Sequence, residues 1–467
     1  MNQPTIHPQG ALQILVVGAG ISGLAAAYGL RKSGHDVLVV EKTDGSQNYT
    51  NEAIPSPPNM TQMLAKLGLE SHCQSFFERT DKCDFIDANS GSYIGVLPAE
   101  LLRAIAKDAM ADSGTIEGKK LQGLLRRMCE ESGVNLRFSV TVAGITEDMP
   151  TSVILEDGEK LEADLIVVAD GCNSSLRSHV VPRERLEIGV KTAILTASIS
   201  MERLREDLEL WPLLRSDTWV MWIGSGVQCR LHVLPRQKER CEALFSYTVP
   251  SNTSQTCDEW KIIEDASVYG LDVSALEPRL QKLLEAGDYC HFRVIETLPA
   301  ADTLVSIPKK IILIGSAAHS LAPGTHQDTP MALEDAYTLS FLLSKLQKRD
   351  QLPRIISAYD EIRQPRAAHV HQYEVRRQMI SKAPPGPLRS TRDERLRMIS
   401  QIEQGAAAEE AILAIWGTEL VVGTYNASAA AQDWWNQYGS CVVINDEGSK
   451  SATGEVQVFV KRKSESW

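Results

Sequence analysis

At 467 residues, with 43% hydrophobic and 23% charged side chains, the chain has room for two or three domains and the balance of a soluble globular protein. Its 60 acidic side chains outnumber 48 basic ones, and the net charge of −12 excludes the basic footprint of a nucleic-acid-binding protein. No apolar run approaches a membrane span, residues 1–11 lack the regions of a secretory signal, and nine scattered cysteines without a CxxC pair suit a reducing compartment, so a cytoplasmic protein is expected.

In chain order, Ile14 to Val17 is an apolar run long enough for a buried strand. Gly18, Ala19, Gly20 and Gly23 follow, then Leu24 to Ala27 read as helix, and a second apolar run from Val37 to Val40 ends on Glu41. In such a strand–turn–helix–strand unit Gly18 permits the tight turn, Gly20 lets a pyrophosphate approach the backbone, and Gly23 lets the helix pack on the strand. The helix N-terminus offers free N–H groups to phosphates, and Glu41 is placed to accept hydrogen bonds from ribose hydroxyls. The spacing predicts a dinucleotide-type fold.

Gly45 to Pro58 is polar and turn-rich and reads as a loop. Helical spacing follows over Asn59 to Leu69, Leu101 to Met110 and Leu121 to Glu131, the last closed by Gly133 ahead of a short strand at Val134 to Phe138. Val153 to Leu155 before Asp157-Gly158 reads as a hairpin, and Leu165 to Ala169 as a buried strand ending at Asp170-Gly171. From about Gly189 to Val249 alternation takes over, at Lys191 to Ile199, Trp219 to Ile223, Cys229 to Leu234 and Leu244 to Val249, and predicts antiparallel strands of a separate sheet. Trp219, Trp222 and Tyr247 there either line a pocket or fill a core. Leu276 to Glu285 is helical, and Lys309 to Gly315 is another buried strand that rejoins the first sheet. Thr329-Pro330 predicts the N-cap and first residue of a helix running through Leu343. Pro384 to Pro387 is a break before a mostly helical C-terminal part, Thr391 to Trp416.

Three motifs stand in order: GAGISG at 18–23, ADG at 169–171 and IGSAAH at 314–319. Together they resemble the class A FAD-dependent monooxygenases, the salicylate- and p-hydroxybenzoate-hydroxylase-like family. Pro57-Pro58-Asn59 with Leu67-Gly68-Leu69, the segment Ala358 to Ala367, the strands Trp219 to Leu234 and Asp433-Trp434-Trp435 resemble further parts of that family. The resemblance implies an α/β fold. A Rossmann-like FAD/NAD(P)-binding domain would comprise residues 1–184 and 296–350. An antiparallel β-sheet substrate domain would be inserted at 185–295, with a helical region at 351–467. It implies FAD as cofactor, NAD(P)H and O₂ as co-substrates, and a hydrophobic small molecule as substrate, with the cofactor carrying the hard chemistry. The cofactor-binding residues it implies are Gly18, Ala19, Gly20, Gly23, Glu41, Lys42, Asp170, Gly171, Gly315 and Ser316, with Arg177 in the second motif's following arginine position. Fold-level analogy puts the substrate near Trp219, Trp222, His232 and Tyr247.

Departures from the family pattern cluster at one end. The third motif's Gly-Asp, whose carboxylate bonds the ribityl chain of FAD, reads Gly315-Ser316 here. In the following P-x-x-G-Q-G loop the glycines are replaced by His326 and Asp328, with Gln327 retained. Asp328 would set negative charge near a reduced, anionic flavin. The family's phosphate-contacting arginine falls on Gly118, beside Lys119 and Lys120. Three readings follow. The first is an FAD-dependent monooxygenase with a divergent flavin pocket, hydroxylating or epoxidising an aromatic, polyketide or terpenoid-like molecule of secondary metabolism. The second is a redox-neutral isomerase or cyclase on the same scaffold. The third is a non-catalytic small-molecule-binding protein. If flavin chemistry has been lost, His319 and His326 are the acid/base candidates.

Overall fold

The computed structural model describes residues 10–45, 53–99, 112–147, 150–182, 190–233, 239–249, 260–263, 270–321, 325–401 and 406–443. Five short strands, all but the last mainly apolar, form a parallel sheet in the order Ile311–Leu313, Leu165–Val168, Gln13–Val17, Asp36–Val40, Asn135–Arg137. The first strand of the chain, which carries the glycine turn, is central; it is flanked by Leu165–Val168, which carries the second motif turn, and by Asp36–Val40, which leads to Glu41, while the strand of the third motif lies at the sheet edge. Its residues Ile14 to Val17 are buried, as expected for a parallel sheet covered on both faces. Helices Ile21–Lys32 and Asp328–Leu343 pack against each other and against this sheet. Gly29 makes room for that contact, since a Cβ there would lie 2.3 Å from the Ser340 hydroxyl.

The second sheet has eight strands, in the order Lys261–Ile263, Tyr289–Thr297, Val190–Ser200, Arg240–Thr248, Val227–Val233, Thr218–Gly224, Lys82–Asp87, Tyr93–Pro98. Its last two strands come from the segment read as part of the dinucleotide-binding domain. Lys82–Asp87 pairs in parallel with Thr218–Gly224, extending the inserted sheet at its edge. One face of this sheet is apolar. Leu195, Trp222, Phe245 and Tyr247 pack there with Leu280 and Leu283 of the helix Pro278–Glu285. The other face carries Trp219, Met221, Arg230, His232, Glu242 and Ser246, and is buried nonetheless.

Several local expectations need correction. Ala53–Ser56, inside the segment read as loop, is a strand paired with Gly114–Glu117. The helix expected to begin with Thr329 as its N-cap begins two residues earlier, with Gln327 as N-cap and Asp328 as first residue. Pro330 still lies in the first turn, where its missing N–H costs nothing. The helix expected at Leu101 to Met110 lies outside the described residues. The C-terminal part is helical, over Leu352–Ser381, Pro387–Ser400, Ala406–Gly423 and Ala427–Val443. The longest of these helices is pinned to the parallel sheet. The Tyr359 hydroxyl donates to the Leu313 carbonyl at 3.2 Å, and the Asp360 carboxylate accepts from the Leu304 N–H at 2.7 Å and the Thr303 hydroxyl at 2.8 Å. No described helix is long and apolar enough to cross a membrane, and the described cysteines are all free thiols.

Candidate cofactor cleft and substrate cavity

The glycine turn has the shape its spacing predicts. Gly18 takes φ +106°, a conformation side chains resist, and a Cβ there would sit 2.4 Å from the Ala169 carbonyl oxygen. A Cβ on Gly23 would lie 2.0 Å from the Gly18 carbonyl oxygen. Gly20 is different, because a Cβ there would meet nothing within 4 Å. Two of the glycines therefore serve the chain itself, and the third borders open space in front of the helix N-terminus. Glu41 braces the turn, accepting from the Ala19 N–H at 2.8 Å through Oε2 and from the Thr43 N–H and hydroxyl, both at 2.9 Å, through Oε1. Oε2 keeps an acceptor site for a ribose hydroxyl. The Gln122 amide donates to the Ala19 carbonyl at 3.0 Å, a contact the sequence reading missed. Lys42 is exposed at the rim.

The second motif adds an orphan. Asp170 Oδ1 is buried with no hydrogen-bond partner among the described residues, and burial raises the carboxyl above its usual pKa. Gly171 beside it takes φ +94°. An unpartnered buried acceptor at the carboxyl edge of a parallel sheet is what a ligand-binding cleft leaves when described without its ligand. The adenosine and pyrophosphate half of FAD thus fits these residues. Gly118 opens the helix Gly118–Ser132, while Lys119 and Lys120 are exposed and Lys120 pairs with Glu117 at 2.7 Å.

At the other end, Gly315 takes φ +58°, and a Cβ there would approach Ser22 Cβ at 2.6 Å. The third motif is therefore wedged against the start of the glycine-turn helix. Arg177, buried, donates to the carbonyls of Ala317 at 2.8 Å and Ala318 at 3.0 Å and so holds this loop. The Ser316 hydroxyl donates to Asp328 Oδ1 at 3.0 Å. Burial pushes the Asp328 carboxyl up, opposed by His319, Ser316 and Arg293.

Behind the loop lies a buried polar network that spacing did not reveal. Arg363 donates to Asp335 at 2.7 Å and to Glu334 at 2.8 Å, and Arg366 donates to Glu334 at 3.0 Å. Asn59 donates to Glu334 at 2.8 Å and to Gln327 at 2.9 Å. Burial disfavours charge on Glu334, but Arg366 and Arg363 outweigh it and hold the carboxyl below its usual range; Arg363 and His319 do the same for Asp335. A visible clue was the Glu334-Asp335 pair inside an otherwise apolar helix, which demands buried cations. His319 belongs to this network. Its Nε2 lies 2.8 Å from Asp335, its side chain is fully buried, and it does not line the cavity described next. As an acid/base candidate it is corrected to a structural residue.

A cavity of about 1050 Å³ lies between the second sheet, the helix Pro58–Lys66 and the C-terminal helices. Leu64, Phe77, Phe85, Met221, Ile223 and Trp416 supply apolar walls. Trp219 lines it too, donating from Nε1 to the Thr115 hydroxyl at 2.9 Å. His326 stands edge-on to Trp219, with ring centroids 5.5 Å apart, and brings the departed loop to the cavity wall beside Gln327. Burial, then Arg377 and Arg230, hold His326 neutral well below its usual pKa, and its Nε2 has no partner among the described residues. It can accept or donate one hydrogen bond, but does not hold a positive charge. His232 lies 6.4 Å from Trp219 on the same sheet face but is buried beneath the cavity; among the described residues neither ring nitrogen has a hydrogen-bond partner, and Glu242 is 4.0 Å away, beyond hydrogen-bond reach. Trp222 and Tyr247 are corrected to core residues. Trp222 is three positions from Trp219, and period-two alternation sends it to the opposite face, where it donates to Glu277.

Comparisons with known proteins agree with this geometry. Residues 11–272 match the profile of a family described as "FAD binding domain". The chain belongs to this family, and with it to the FAD-dependent monooxygenases that its motifs resemble. It is 25% identical over 426 residues to the FAD-dependent monooxygenase atnJ of an Arthrinium species, covering 90% of this chain and 95% of the relative. It is 24% identical over 384 residues to a salicylate hydroxylase of Pseudomonas putida, covering 78% and 84%. Among solved structures, Klebsiella pneumoniae HpxO complexed with FAD and uric acid superposes with a TM-score of 0.70 at 23% identity, over 89% of this chain and 98% of that one, a likeness of fold.

Proposed function

We propose that this FAD-dependent monooxygenase hydroxylates or epoxidises a hydrophobic molecule larger than a single aromatic ring, of the polyketide or terpenoid-like kind, with NAD(P)H as reductant. The observation that carries the substrate class is the cavity. At about 1050 Å³ it lies at the upper end of small-molecule sites, and its walls are mainly apolar. FAD, when bound, supplies the activation of O₂. The chain's own residues anchor the cofactor's adenosine end through Gly20 and Glu41, keep water from the substrate with the apolar walls, and offer a neutral His326 to orient one polar group of the substrate. The named relatives are monooxygenases, which favours this reading over a redox-neutral enzyme or a binding protein.

The test is turnover with the purified protein. A flavin absorption band should be present, and NAD(P)H oxidation should accelerate more with multi-ring or prenylated phenols than with salicylate. Acceleration by salicylate alone would refute the size argument. Conversion of a substrate by flavin-free protein without NAD(P)H would favour the redox-neutral alternative.

A further inference from the structure

We infer that Ser316 and Asp328 work as one unit, and that the unit's carboxyl, delivered from the start of the Asp328–Leu343 helix, is the acceptor that grips the polyol chain of FAD. The inference rests on the FAD reading above. Three observations carry it.

The first is position. Gly315 is in contact with Ser22, and in the sheet its strand lies on the opposite side of the first strand from the one that leads to Glu41, so Ser316 lies next to the glycine turn, on the side away from Glu41. In FAD the groups run adenine, ribose, pyrophosphate, ribityl chain, ring. With ribose at Glu41 and pyrophosphate at Gly20, the ribityl chain is the next group to pass Ser316.

The second is valence. The Ser316 hydroxyl spends its single proton on Asp328 Oδ1 at 3.0 Å. No other hydrogen bond to the Asp328 carboxyl is made among the described residues. Oδ2 is not among the buried, partnerless atoms, and the residue keeps accessible surface. A ribityl chain presents hydroxyl donors, and an acceptor with free lone pairs is its natural complement.

The third is support. Gly315 N–H donates to Asp335 Oδ2 at 2.9 Å, and the neighbouring Gln327 is fixed by Asn59. Both members of the pair thus rest on the buried network and are preorganised. The competing account is that Asp328, as an acid in the first turn, serves only its own helix.

The test is titration of deflavinated protein with FAD, followed by flavin fluorescence, and separately with ADP. Asp328→Asn, close in size, should weaken FAD about 10- to 100-fold, the effect of losing a charge-assisted hydrogen bond, and leave ADP affinity unchanged. Ser316→Asp combined with Asp328→Gly, which returns the carboxyl to the strand end, should restore FAD affinity relative to Asp328→Gly alone. Asp328→Asn binding FAD as tightly as the parent, or weakening FAD and ADP alike, overturns the inference. A parent protein that binds ADP but not FAD instead overturns the cofactor reading on which the inference depends.

Discussion

The two ends of the cofactor cleft differ in what builds them. At the adenosine end the determinants are mainly backbone, namely a residue at φ +106°, a helix start, and glycines whose missing Cβ atoms make room for carbonyl oxygens, with Glu41 as the one bracing side chain. At the flavin end they are side chains from separate segments, with Ser316 meeting Asp328 and Arg363 meeting Glu334 and Asp335. Backbone geometry tolerates few residue types, so the first end announces itself as a pattern of glycines at fixed spacing. Side-chain geometry can be satisfied by exchanging partners, so the second can keep its chemistry while losing its motif.

This contrast sets the expected sizes of mutational effects. The largest belongs to Gly23→Val. A branched side chain aimed at a carbonyl oxygen 2.0 Å from its own Cβ cannot be accommodated, and no folded protein should be recovered by gel filtration and circular dichroism. Recovery of a folded, ADP-binding variant would break the claim that the adenosine end is fixed by backbone. Next comes Arg363→Ala at the other end. It removes the cation shared by two buried carboxylates, leaving Glu334 to Arg366 and Asn59 and Asp335 to His319 and the Gly315 N–H, and unfolding in urea should show a loss of about 3 kcal/mol. A loss under about 1 kcal/mol would mean that the flavin-end network is not the rigid support assigned to it.

The same contrast explains what the sequence disclosed. Gly18, Gly20, Gly23 and Glu41 were legible because each answers a local steric or hydrogen-bonding demand at fixed spacing. The parallel sheet was legible because four of its five strands are short, mainly apolar runs. Opposite roles for Trp219 and Trp222 follow from the alternation already recognised, had parity been applied to each residue. By contrast, the Asp328 contact with Ser316 spans 12 positions, and that between Arg363 and Glu334 spans 29; no periodicity marks either. Likewise, nothing in Lys82–Asp87 announces that it will join a sheet formed mainly by residues beyond 190.

A third, smaller effect concerns the sheet face near the flavin end. Lys382 Nζ donates to the Ser246 hydroxyl at 3.0 Å and has no ion pair among the described residues. Burial, helped by Arg377, lowers its pKa from 10.5 to about 7. Between those values the unfolded chain holds a proton that the folded chain does not, so stability should rise with pH across that window. The penalty is complete below about 7. Lys382→Met should therefore stabilise the protein near pH 6.5, by about 1–2 kcal/mol given the side chain's remaining solvent contact. It should also flatten the rise in melting temperature between about pH 7 and 9. An unchanged slope would mean that Lys382 keeps its proton in the fold.

The smallest effect sharpens the comparison most. Gly20 has φ −72° and ψ 179°, a conformation open to any residue, and a Cβ there meets nothing. For the protein alone, alanine is sterically acceptable; the freedom it removes from the unfolded chain is set against its poorer fit as the N-cap of the helix Ile21–Lys32, and stability should change by less than about 1 kcal/mol. Any loss of affinity on Gly20→Ala must then come from what approaches that open space. Melting temperature should stay nearly level, while affinities for ADP and FAD fall together by about tenfold, near 1.4 kcal/mol. This is the reverse of Asp328→Asn, which should separate FAD from ADP. If Gly20→Ala binds both ligands as the parent does, the pyrophosphate does not lie on this turn. The order of groups along the cleft, from which the roles of Ser316 and Asp328 were argued, would then have to be redrawn.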